Sequence, residues 1–134
     1  MKKIISLALA AITLVVAVCL VGCSGYSSSY ITTNCVRTNN PKSATLNFGS
    51  LKGSMVFTFK CDDGDKIGYT AKLEDGDATV YFDNGGGKAE LFKIGAGDEI
   101  SSRGDALVKG TVYVIIKTDG KCTGGEFDFK IVKE

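Results

Sequence analysis

The chain has 134 residues, with 16 Lys and Arg against 15 Asp and Glu, and it contains no His and no Trp. Such a balance of charge leaves no single-sign field, which argues against nucleic acid as a partner. The absence of His removes Ser-His and Cys-His catalysis, His-ligated zinc and the usual neutral-pH proton shuttle together.

Met1-Lys2-Lys3 is a short cationic start, and the run from Ile4 to Gly22 carries no charge. It ends Leu20-Val21-Gly22-Cys23. An aliphatic residue, a β-branched one, Gly and then Cys resemble the lipobox of bacterial lipoproteins. That resemblance implies a signal peptide over residues 1–22 and lipidation of Cys23, with cleavage just before it. Two acyl chains, at about 0.8 kcal/mol per buried CH₂, hold a protein stably at a membrane. The implied location is the extracytoplasmic side of the cell membrane, or an outer membrane if the cell has one. About 20 apolar residues would also span a bilayer uncleaved. The small residue before Cys23 and the Ser24-Gly25 flank, which has no basic stop, favour cleavage. Cys19 follows Val18, a poor cleavage position, and leaves with the leader.

Residues 23–43 are rich in Ser, Thr and Asn and close on Pro41, the one proline of the chain. This composition predicts a flexible tether, because it offers too little apolar surface to offset its ordering entropy. Folding is expected over residues 44–134.

Period-two alternation recurs through that region, the mark of half-buried strands. Ala44, Leu46 and Phe48 alternate with polar residues, as do Met55, Phe57, Phe59 and Cys61. Ile67 to Leu73, Ala78 to Phe82 and Phe127 to Ile131 continue the pattern. Lys88 to Ile94 loses phase at Leu91-Phe92, which predicts a bulge. Val108 to Lys117 is apolar on both faces, as a central strand would be. Turn signals separate these runs at Lys52-Gly53, Asp62 to Asp65, Glu74 to Asp77, Asp83 to Gly87 and Thr118 to Lys121. The predicted fold is all-β: an antiparallel, jelly-roll-like β-sandwich of seven to eight strands. Gly110 to Ile116 and Gly124 to Ile131 resemble the closing strands of small jelly-roll modules on bacterial surface proteins. The body resembles small lipoproteins of Gram-positive bacteria.

The acidic turns Asp62/Asp63/Asp65, Asp75/Asp77 and Asp98/Glu99 offer oxygens for calcium. Their spacing is not that of an EF-hand, and Asp-Gly is ordinary hairpin chemistry, so no metal site is assigned. Gly85-Gly86-Gly87-Lys88 is not a phosphate loop, because Phe82 and Ala89 stand where Gly and Ser or Thr belong. Arg103-Gly104-Asp105 spells the integrin-read tripeptide, a match too short to carry a function. Glu74, Glu90, Glu99 and Glu126 form no recognisable catalytic pair. Without Trp, sugar stacking would fall to Tyr69, Tyr81 and Tyr113.

Cys35, Cys61 and Cys122 remain once Cys23 is lipidated. If the strand ending at Cys61 lies antiparallel to the one starting at Gly125, Cys61 and Cys122 meet. A disulfide there would stabilise the domain by roughly 4 kcal/mol. Lys72, Lys88 and Lys93 read as edge-strand charges that block sheet-to-sheet pairing and keep the domain monomeric. The expected function is a lipid-anchored, non-enzymatic binding or structural module of the bacterial cell envelope. It needs no cofactor, and its partner is an envelope protein or polysaccharide. The alternative is a small extracytoplasmic hydrolase or an inhibitor of one.

Overall fold

A computed structural model describes residues 26–133. The leader Ile4 to Gly22, the lipobox and Cys23 lie outside them. Among the described residues, seven antiparallel strands form one hydrogen-bonded sheet: β1 (Ser29–Thr33), β2 (Val36–Asn39), β3 (Ser43–Cys61), β4 (Lys66–Asp83), β5 (Ala89–Ile94), β6 (Glu99–Arg103) and β7 (Gly110–Val132). The order is β1-β3-β7-β4-β5, with β2 also on β3 and β6 also on β4.

Three of these strands are long enough to serve twice. β3, β4 and β7 run 19, 18 and 23 residues, and each bends near its middle. Register shifts mark the bends at Lys52/Ser54 in β3 and Asp75/Asp77 in β4. The bend folds the sheet onto itself and makes a β-sandwich. In layer A the order is β2, the first half of β3, the second half of β7, the first half of β4, then β6. In layer B it is the second half of β3, the first half of β7, the second half of β4, then β5, while β1 pairs across the bend of β3 from Ser50 to Ser54.

The alternating residues face one another across the fold. Leu46, Phe48, Ile67, Leu73, Phe127 and Phe129 point inward from layer A, and Met55, Phe57, Phe59, Val80, Val112 and Val114 from layer B; all are buried. Ring contacts join the layers: Phe57 to Phe129 at 6.0 Å, Phe92 to Phe127 at 6.4 Å, and Phe92 to Tyr69 at 4.4 Å. Each such side chain, fully buried, stabilises the fold by about 1.5–3 kcal/mol. The bulge expected near Leu91 is present, since Val80 pairs with Phe92 and the next residue, Tyr81, with Glu90. β7 is central in both layers.

Two expectations are corrected. Lys52-Gly53, Glu74 to Asp77 and Thr118 to Lys121 are not hairpins but the bends of continuous strands. Gly53 has φ 126° and Gly76 has φ 99°, a backbone region open chiefly to glycine. A Cβ at Gly53 would also run into the Ser29 carbonyl, and one at Gly76 would sit 2.8 Å from Cys122 Cα. The second correction concerns residues 23–43, expected as a tether. β1 and β2 lie within them and pair with β3 from Ser29↔Ser54 to Asn39↔Ala44. Arg37 fastens this edge: its Nη2 donates to the Val56 carbonyl at 2.8 Å, and its guanidinium lies 4.5 Å from the Phe57 ring centre.

Candidate functional site: a polar trough on layer A

Alternation puts the polar partners of the core residues on the outer face of layer A, where the register aligns them across four strands. One row is Glu99, Lys72, Glu126 and Asn47. The next is Ser101, Thr70, Asp128 and Thr45, and the third is Arg103, Gly68, Lys130 and Ser43. Three depressions of about 290, 310 and 210 Å³ share residues of these rows and merge into one trough. Thr70, Lys72, Glu126 and Asp128 form its floor, and β6 forms one wall. From Gly68 to Glu74 along β4 the trough is roughly 20 Å long.

Among the described residues, the side chains of Lys72, Glu99, Arg103, Glu126, Asp128 and Lys130 have no hydrogen bond or ion pair, although opposite charges sit in neighbouring register positions. The charges of the trough are also sorted along its length. Arg103 and Lys130 mark a cationic end, and Glu74, Asp98, Glu99 and Glu126 gather at the acidic end near the bend. Donors and acceptors thus stand in rows on a rigid sheet, open to a ligand that supplies both. Lys72, expected on an edge, sits here on an interior strand, paired on one side with β7 and on the other with β6. Lys93 does lie on the outer strand β5, and Lys88 just before it.

Tyr69, Tyr81 and Tyr113, the tyrosines that could have served sugar stacking, make contacts of their own. Tyr69 faces inward against Phe92. Tyr113 lies 5.4 Å from Tyr26, ring to ring, and Lys88 Nζ sits 4.6 Å from the Tyr81 ring centre. Tyr26 Oη donates to Asp83 Oδ2 at 2.7 Å. Burial first, and then the Asp83 carboxylate, push the Tyr26 phenol up to about 12.

Three carboxylates of the acidic turns accept backbone hydrogen bonds within the fold. Asp65 Oδ2 accepts from the Asp62 amide, Asp63 Oδ1 from the Lys109 amide, and Asp98 Oδ2 from the Gly95 amide. No group of three or more metal-ligating side chains occurs among the described residues. The expected Cys61–Cys122 bond is corrected: both thiols are free and buried. Cys61 pairs in register with Gly110 at the loop end, whereas Cys122 pairs with Leu51 at the bend. The strand starting at Gly125 meets the first half of β3, not the half that carries Cys61. Cys61 Sγ donates to the Val108 carbonyl and Cys122 Sγ to that of Asp77, each at 3.2 Å. Burial pushes both thiols above their ordinary value.

No protein-family model matches the chain, and no curated protein matches it. Among solved structures, it is similar to a family 29 carbohydrate-binding module in complex with mannohexaose. The identity is 15%, over 81% of this chain and 79% of that one, with a TM-score of 0.42. It is also similar to TmCBM61 in complex with β-1,4-galactotriose, at 13% identity over 83% and 85% of the two chains and a TM-score of 0.40. A third is the protein NMB1881 from Neisseria meningitidis, at 15% identity, 73% and 83% coverage and a TM-score of 0.35.

Proposed function

We propose that this chain is a non-catalytic binding module of the bacterial cell envelope, held to a membrane by a lipid on Cys23, and that its trough takes a hydroxyl-rich polysaccharide. The observation that carries the ligand class is the set of aligned rows of unpartnered donors and acceptors on layer A. A protein partner would call for an apolar centre in the interface. This floor presents Thr70, Lys72, Glu126 and Asp128 instead, all exposed and all polar. A sugar hydroxyl both gives and accepts a hydrogen bond, so it can insert between neighbouring cation and carboxylate. Each such bond nets about 0.5–1.5 kcal/mol, so useful affinity requires several sugar rings along the trough. Leu20-Val21-Gly22-Cys23 supports the anchor.

The ligand test is retention of the purified chain on a panel of cell-wall and exopolymer glycans. Lys72→Ala and Asp128→Ala should each weaken binding at least several-fold without altering the far-ultraviolet spectrum. Retention of no glycan, or binding indifferent to both changes, overturns the ligand reading. The anchor is tested separately. Cys23→Ser should abolish labelling by radioactive palmitate and leave the leader uncut; a wild-type chain that never labels defeats it.

A further inference from the structure

The entry of the chain into layer B sets how the domain meets a membrane. β1 runs antiparallel to β3, so going back from Ser29 the chain moves towards the Cys61 end of β3. Ser28 Oγ accepts from the Val56 amide at 2.9 Å. Tyr26 then lies against Tyr113 and bonds Asp83, whose Oδ1 accepts from the amides of Gly85 and Gly87. The chain therefore reaches the sandwich beside the loop 84–88. Asn84 joins that loop to the neighbouring one through the Val108 amide and carbonyl, at 2.8 and 3.1 Å. Tyr26 follows Cys23 by three positions, with Ser24 and Gly25 between them, which bounds the span at about 10 Å of extended chain.

Resting on the lipid-anchor reading above, we infer that the loop end of the sandwich, residues 84–88 and 105–109, lies against the headgroups of the bilayer, with the bend end pointing away. The chemistry of this end suits a lipid surface. Val108 is 60% exposed at its tip. Lys60, Lys88 and Lys109 are exposed around it. Two nearby carboxylates are turned inward, Asp65 onto the Asp62 amide and Asp83 onto Tyr26; Asp63 stays exposed while it accepts from the Lys109 amide, and the exposed Asp62 is paired with Lys133. Asp105, in the same loop, opposes the lysines. Each lysine near an anionic surface adds a modest attraction that falls off within a Debye length. In this pose the trough stands on the side of the molecule, its cationic end (Arg103, Lys130) nearer the bilayer and its acidic end farther out.

The test uses the full lipidated chain in vesicles of phosphatidylglycerol and phosphatidylethanolamine. Single nitroxide labels are placed at Val108→Cys, Gly86→Cys and, at the bend, Lys121→Cys, all in a Cys35→Ser background. Collisions with a water-soluble nickel chelate should be several-fold rarer at positions 108 and 86 than at 121, and this contrast should vanish in detergent. Equal accessibility at both ends, in a chain that carries palmitate label, overturns the orientation and leaves the anchor standing. A chain that carries no palmitate overturns both.

Discussion

Thr118 is a buried polar residue placed where β3 loses register. Its Oγ1 accepts from the Gly53 amide at 2.8 Å and lies 3.3 Å from the Gly53 carbonyl. The bulge frees a backbone N–H from the ladder, and the hydroxyl replaces the missing partner. Thr118→Val keeps the shape and orphans that amide, so urea denaturation should show a loss of about 1–3 kcal/mol. Asp65 is a second such residue. The Asp62 amide donating into it, helped by Lys133 3.6 Å away, holds its carboxyl below the ordinary 3.8. A depressed folded value stabilises the fold above 3.8 and is lost as pH falls from there through the folded value. Asp65→Asn should therefore lower the urea midpoint at neutral pH and flatten its decline below pH ~4.

At the scale of elements, the bends decide the architecture. Gly76 combines a positive φ with the backbone of Cys122 directly beneath it, so both strain and crowding resist a side chain. Gly76→Ala should cost at least about 1–3 kcal/mol, visible as a lowered thermal midpoint. The bends also show where sequence reading reaches its limit. Alternation identified the buried faces correctly, from Phe57 and Phe59 to Phe127 and Phe129. It did not separate a hairpin from a bend at Glu74 to Asp77, because Asp and Gly serve both. Whether the chain reverses there depends on partners far away in sequence. Residues 26–43 misled for a related reason. An edge strand needs backbone partners more than apolar side chains, and here Ile31 and Val36 stay 76% and 62% exposed. The trough was legible residue by residue as the polar half of each alternation. Its rows were not, since they require the register of β3, β4, β6 and β7 together.

The whole molecule should behave as one cooperative unit, because β3, β4 and β7 each belong to both layers. Native-state hydrogen exchange should find the amides of Val112 to Ile116 and of Phe127 to Phe129 opening with the same free energy. Phe57→Ala, a change in layer B costing about 3–5 kcal/mol, should lower protection in both groups equally; a loss confined to layer B would show that the layers open separately. Position in the chain gives β7 a further consequence. It is the last of the seven strands among the described residues, yet it supplies the central strand of both layers. During synthesis, neither layer has its middle until Gly110 to Val132 has emerged. Earlier segments lack the strand that joins the halves of both layers, and collapse waits on the final stretch. A chain stopped short of Gly110 is therefore not a smaller domain but an unfolded one, open to proteolysis along its full length.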